Sequence, residues 1–183
     1  MTCSPLVKVS LKWGLIYAGI SIVTFVGIYA FSLSTNKTVA SIVGVLSIII
    51  NVLIFVISNR DYRNTYLGGY IKYGQAFLNS LFVVLVCMFI YSTFTFLLYQ
   101  VIDPSEYTKM IEEQLLKVDQ MEGLPAEVKQ VQIDFWVNMT PLKFVAGLQL
   151  TTGIVWGLIL ALIVSIFTRK KNNTFEGAIK EIE

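Results

Sequence analysis

Residues 73–102 read YGQAFLNSLFVVLVCMFIYSTFTFLLYQVI, thirty positions without a single Asp, Glu, Lys or Arg. Soluble domains carry roughly 25% charged residues, so a stretch this long does not belong to one. About 20 helical residues cross a hydrocarbon core of roughly 30 Å. Lipid offers the backbone no partner, so a spanning segment is a helix or a strand of a closed barrel. A barrel strand alternates apolar and polar residues. Leu81-Phe82-Val83-Val84-Leu85-Val86 does not alternate. The stretch therefore reads as a transmembrane helix.

Three further blocks, 13–36, 38–59 and 144–168, are equally free of charge. The four blocks hold 101 of the 183 residues, and the other 82 carry all 26 charges. The overall 14% charged is thus an average of lipid-compatible and water-compatible segments. A single soluble core, intrinsic disorder and nucleic-acid binding by a basic fold are all excluded. The fold class is an all-α membrane protein of four antiparallel helices, near 13–34, 38–58, 74–102 and 141–168. These form one integral membrane domain over 1–183, with an external helical segment at about 103–140 and a cytoplasmic tail at 169–183. The third and fourth spans exceed the minimum length, which allows tilt or projection into water.

Lys8 and Lys12 before an apolar run suggest a secretory signal. That run exceeds 20 residues, whereas a signal's apolar region has roughly 7–15, and Cys3 does not fit a lipoprotein cleavage site. With the N-terminus inside, nine basic residues fall on inner segments and five on outer ones, giving +5 inside and −3 outside. The positive-inside rule then puts both termini in the cytoplasm.

The link around Ser34-Thr35-Asn36-Lys37 is short enough to force an antiparallel pair. The inner link from Arg60 to Lys72 contains Gly68-Gly69, a turn signal because glycine tolerates positive φ. The long outer link is acidic and helical in pattern. Asp103-Pro104-Ser105-Glu106 reads as an N-cap with proline at the first helical position. Tyr107, Ile111, Leu115 and Val118 follow on one face. Gly123 stops that helix. Pro125 opens a second, with Val128, Val131, Phe135 and Met139 in line, and Thr140-Pro141 restarts the chain into the fourth span. The expectation is an external amphipathic hairpin. Its Tyr107–Val118 stripe either packs on the chain itself and lipid headgroups or is a partner-docking face.

Histidine is absent, which removes the commonest general base and metal ligand. Cys3 and Cys87 fall on different levels and cannot pair. There is no zinc spacing, no phosphate-binding glycine loop and no nucleophile elbow. No acid lies in a span, where ionisable residues mark ion and proton routes. The sequence thus predicts no enzyme, no metal, no cofactor and no nucleic-acid partner. Neutral polar residues inside spans (Ser21, Asn51, Gln75, Asn79, Tyr91, Ser92, Thr93, Thr95) read either as packing glue or as a solute path. Gly153, Gly157, Ala161 and Ser165 recur every four residues. They mark a close helix–helix contact, either inside the bundle against Gly14 and Ala18 or Ala40 and Gly44, or between two copies. Arg60, Arg63 and Lys72 flank the start of the third span, where they either anchor it or bind an anionic lipid phosphate. The tail residues Phe175, Ile179 and Ile182 form a weak amphipathic row, and Asn36 and Asn138 open glycosylation sequons.

The run Asp61-Tyr62-Arg63-Asn64, then Gly68-Gly69-Tyr70-Ile71-Lys72-Tyr73-Gly74-Gln75-Ala76, resembles domain-of-unknown-function family 4199. Tyr99 through Ile102-Asp103-Pro104 and the closing Arg169-Lys170-Lys171 extend the resemblance over roughly residues 8–171. It implies a small four-span protein of bacterial inner membranes and supplies no catalytic or binding residues. The expected role is a non-catalytic accessory or interaction protein, with lipid and another membrane protein or a second copy as partners. The alternative is a small transporter or channel subunit for a neutral solute.

Overall fold

The computed structural model describes residues 4–30, 37–121 and 123–170, with no side-chain account of residues 37–40. Cys3, the short link through Asn36, and the tail with Phe175, Ile179 and Ile182 lie outside the described residues. The described chain is helical almost throughout, and no strand is present among the described residues. The helices are α1 (Pro5–Ala30), α2 (Lys37–Tyr66), α3 (Tyr73–Leu97), α4 (Pro104–Asp119), α5 (Ala126–Val137), a single turn α6 (Pro141–Lys143) and α7 (Leu150–Thr168). Two π-helical segments, Leu98–Ile102 and Phe144–Gln149, follow α3 and α6. Four stretches are long and apolar enough to cross a membrane: Pro5–Ala30, Ser41–Tyr66, Tyr73–Ile102 and Pro141–Thr168.

The first two helices are longer than the charge-free blocks. α1 begins at Pro5, so Lys8 and Lys12 are already helical, and α2 runs on to Tyr66 through Arg60, Asp61 and Arg63. Absence of charge marks what lipid tolerates. A helix continues into water until something stops it, and here glycine does so. Gly68 and Gly69 take φ of +61° and +90°, values L side chains rarely adopt. The N–H groups of Leu67 and Gly69 both fold back onto the Arg63 carbonyl, at 3.2 and 3.0 Å.

Contacts divide the chain into two compact units, residues 1–90 with 153–183, and residues 91–152. In the first, Ile54, Phe55, Val83, Val84, Ala161 and Val164 form the apolar core. α3 is the most buried span and receives small residues from two neighbours. A Cβ on Gly14 would stand 2.6 Å from Val86, and one on Gly157 2.6 Å from Val84. Met88 fills the space beside Gly153. Without a hydrophobic force between helices in lipid, such close approach supplies the attraction through dispersion. A second cluster, Val9, Tyr62, Ile71 and Ala76, closes one end of this unit.

The second unit holds α4 and α5, which touch each other. The predicted cap is present. Asp103 Oδ1 accepts from the Ser105 N–H at 3.1 Å and from its hydroxyl at 2.6 Å, with Pro104 at the first helical position. Gly123 has φ +85° in the link to α5. The Thr140 hydroxyl accepts from the Lys143 N–H at 3.4 Å.

Replacing Gly157 with Leu forces Val84 out of its place, and overpacking of this kind costs about 1–3 kcal/mol. Cys87 is fully buried and reports it. In a Cys3→Ser background, a thiol-reactive dye should label Cys87 at a lower temperature in Gly157→Leu than in the parent. An unchanged labelling midpoint would show that the glycine contact is dispensable.

A candidate functional site of saturated asparagines

Six polar side chains of the first unit gather at one level, while Asn51, two turns earlier on α2, leaves its buried Oδ1 without a partner. Ser10 of α1, Ser58 and Asn59 of α2, and Asn79 and Ser80 of α3 are each at most 1% exposed, and Thr168 of α7 is 9% exposed. Asn79 donates its amide protons to Ser58 Oγ at 2.8 Å and Asn59 Oδ1 at 2.9 Å. Asn59 in turn donates to Ser80 Oγ and Thr168 Oγ1, both at 3.1 Å. The Ser10 hydroxyl lies 2.8 Å from the Leu6 carbonyl and 3.1 Å from Asn79 Oδ1, dividing its one proton between them. Thr168 passes its own proton to the Val164 carbonyl at 3.0 Å. The bonds run in one direction, from Ser10 through Asn79 and Asn59 to Thr168, across all four long helices. An amide offers two donors and a carbonyl. Both asparagines use all of these, so neither has an N–H left for a solute.

Next to this hub the chain is clamped twice. Asp61 accepts from Lys12 Nζ at 2.9 Å, Trp13 Nε1 at 2.8 Å and Thr65 Oγ1 at 3.1 Å, which ties α1 to α2. The pair is partly solvated, with Lys12 59% exposed, so its Coulomb part is small. The second clamp is backbone. Ile71 and Lys170 exchange N–H···O bonds of 3.1 and 3.0 Å, fastening the α2–α3 link to the second residue past α7. Gln75 Oε1 accepts from the Lys72 N–H at 3.0 Å, half of a capping box at the start of α3. Ala76 is fully buried beneath it. The stretch from Asp61 to Ala76 is therefore a clamp, a glycine turn, a backbone bridge and a cap, in that order.

These are the residues on which the sequence resemblance rested, and a family model, Protein of unknown function (DUF4199), matches residues 12–170. The chain belongs to the DUF4199 family. No curated protein and no solved structure matches it. In this DUF4199 chain the matched region begins at Lys12 and ends at Lys170, a partner in each of the two clamps.

The other sequence-derived sites fall as follows. Gly157, Ala161 and Ser165 are buried and Gly153 half-buried. Gly153 and Gly157 abut Met88 and Val84 of α3, not the α1 or α2 small-residue rows. Those rows cannot serve both, because Gly14 is itself spent on α3 and a Cβ on Gly44 would meet nothing within 4 Å. The stripe read as a docking face is the inner face of α4. Tyr107 and Val118 are buried, and Ile111 and Leu115 half-buried. Tyr107 packs on Tyr99 and Phe144, with ring centroids 5.5 and 6.1 Å away. Burial pushes its phenol pKa above the ordinary value. Arg60 and Lys72 are exposed, and Arg63 Nε donates to Asn64 Oδ1 at 3.1 Å. None of the three has an ion pair among the described residues. No group of three Cys, Asp or Glu suited to a metal occurs among the described residues.

Asn79→Leu removes the central link and strands donors and acceptors on Ser10, Ser58 and Asn59. A buried group left unpaired costs about 1–3 kcal/mol. Asn79→Leu combined with Asn59→Leu should therefore lose less stability in mild detergent than the two single changes summed. Strict additivity in that double-mutant cycle would mean the asparagines do not act as a unit.

Proposed function

We propose that this DUF4199 chain is a non-catalytic accessory component of a bacterial inner membrane, positioning another membrane protein against its lipid-facing helices. The observation that supports this reading is the saturation of Asn59 and Asn79, whose polar capacity is consumed in holding helices together. The spans otherwise present large apolar side chains outward, Val23, Phe89 and Trp156 among them. A rigid core with an apolar exterior suits a scaffold inside the bilayer. We place the Arg60–Lys72 link in the cytoplasm and α4 and α5 on the far side, because basic residues concentrate in the former and acids in the latter. Arg60, Arg63 and Lys72 would then meet anionic headgroups of the inner leaflet.

One observation favours a second reading, a carrier or channel subunit for a neutral solute. In the unit of residues 91–152, Ser92 Oγ, Tyr107 Oη and Gln149 Oε1 are buried without a partner. Gln149 closes the second π-helical segment and donates its Nε2 to Thr95 Oγ1 at 3.2 Å. π-helical turns recur at functional sites.

Two measurements separate these readings. Purification in a gentle detergent should return the chain with a second membrane protein in fixed ratio, and liposomes holding the chain alone should leak glycerol no faster than empty ones. A solitary monomer, or glycerol flux abolished by Gln149→Leu, would overturn the accessory reading. For orientation, Lys72→Cys and Glu113→Cys are made in a Cys3→Ser, Cys87→Ser background. An impermeant maleimide added to intact spheroplasts should label Glu113→Cys and spare Lys72→Cys; the reverse pattern would invert the topology.

A further inference from the structure

α5 carries an apolar stripe that nothing among the described residues covers. Val128, Val131 and Phe135 are 41%, 69% and 49% exposed, and no residue of α5 is buried. At about 100° per residue these three side chains fall within roughly 60° of one another. Gln132, Ile133 and Trp136 occupy the adjoining half-buried face, and Glu127, Gln130 and Asp134 form an exposed polar one. The sequence pattern left the hairpin's apolar faces open between packing on the chain, lipid headgroups and a partner; on α5 the structure turns this row outward.

Lipid fits it better than another protein. A span starts at Pro141, only four residues beyond the last residue of α5. Four residues of chain reach at most about 14 Å, so the end of α5 stays within about 14 Å of the point where the chain enters the membrane span. The stripe itself is about 12 Å long and about 10 Å wide, roughly 120 Å². A stable protein interface needs about 800 Å² from each partner, more than six times as much. A bilayer surface imposes no such minimum on a helix already tethered to it. α5 has one basic residue, Lys129, and its ammonium is engaged by the Asp119 carbonyl at 3.0 Å. Attraction to anionic headgroups is therefore not what would hold it.

We propose that α5 lies along the membrane–water interface with Val128, Val131 and Phe135 immersed below the headgroups and Glu127, Gln130 and Asp134 in water. The binding is hydrophobic and indifferent to lipid charge. An amphipathic helix at this depth buries its apolar face about 5–10 Å into the headgroup boundary.

Nitroxide labels placed singly at residues 127, 128, 130, 131, 134 and 135, in the Cys3→Ser, Cys87→Ser background, test this in phosphatidylcholine liposomes. Collisions with oxygen report lipid, and collisions with a soluble nickel chelate report water. A label at Phe89, 72% exposed on α3, confirms that the protein is inserted. Labels at 128, 131 and 135 should show an oxygen-to-nickel ratio several-fold above those at 127, 130 and 134, and adding anionic lipid should not change it. Equal nickel access at all six, with the Phe89 label still oxygen-rich, would overturn the proposal and leave the stripe in water. Immobilised labels shielded from both reagents would also overturn it, since a protein would then cover the stripe; their release on dilution with unlabelled chain would name that protein as a second copy.

Discussion

Asn79 donates to Asn59, and Asn59 donates onward to Thr168; this relay sets the register of the first unit. Apolar side chains cannot do so in lipid, because a leucine against a lipid tail is nearly as well placed as a leucine against another helix. Sliding one helix by a turn would exchange one apolar contact for another of similar worth. It would also strand two amides away from water, and that penalty has no counterpart in the apolar core. The relay is weak bond by bond, with interhelical hydrogen bonds averaging about 0.6 kcal/mol. Its force comes from the alternatives it excludes.

Close packing follows from that register. With α1 and α2 tied to α3, and α7 tied to α2, at one level, Gly14 and Gly157 meet Val86 and Val84 one to three turns away. The same alignment puts Phe55 and Ile54 in one cluster with Val83 and Val84. The Asp61 clamp and the Ile71–Lys170 bridge then close the end where the helices leave the relay. Each feature secures the level next to it, so the polar ties of the unit gather at one end.

Much of this was legible from residues alone, and the reasons differ from place to place. The charge-free blocks revealed the spans because a charged side chain is costly in lipid and rare over such lengths. Gly68, Asp103, Pro104 and Thr140 gave turns and caps because those are local chemistry. The relay was only half visible. Asn79 stood out inside its block, but Ser58 and Asn59 closed another block and passed as its edge. A signal did exist. Asn59 and Asn79 lie equally far from Gly69, so an antiparallel pair turning there sets them at one depth, each beside a serine. The stripes of α4 and α5 show a different limit. Periodicity tells that a face is apolar and does not tell what meets it; Tyr107 turned inward while Val131 turned out. The π-helical segments left no mark in the sequence, since a single wide turn alters no hydrophobic period that thirty apolar residues would display.

The relay and the bridge have a further meaning in time. Asn59 takes its last partner from Thr168, 109 positions later in the chain. Translation at about 5–20 residues per second leaves roughly 5–20 s between the two. During that interval three helices occupy the bilayer with an amide proton of Asn59 unanswered. The fourth then supplies both the hydroxyl and, at Lys170, the backbone latch. Until that point the relay among the first three helices lacks its terminal acceptor. The relay and the latch are thus completed together, at the C-terminal end of α7.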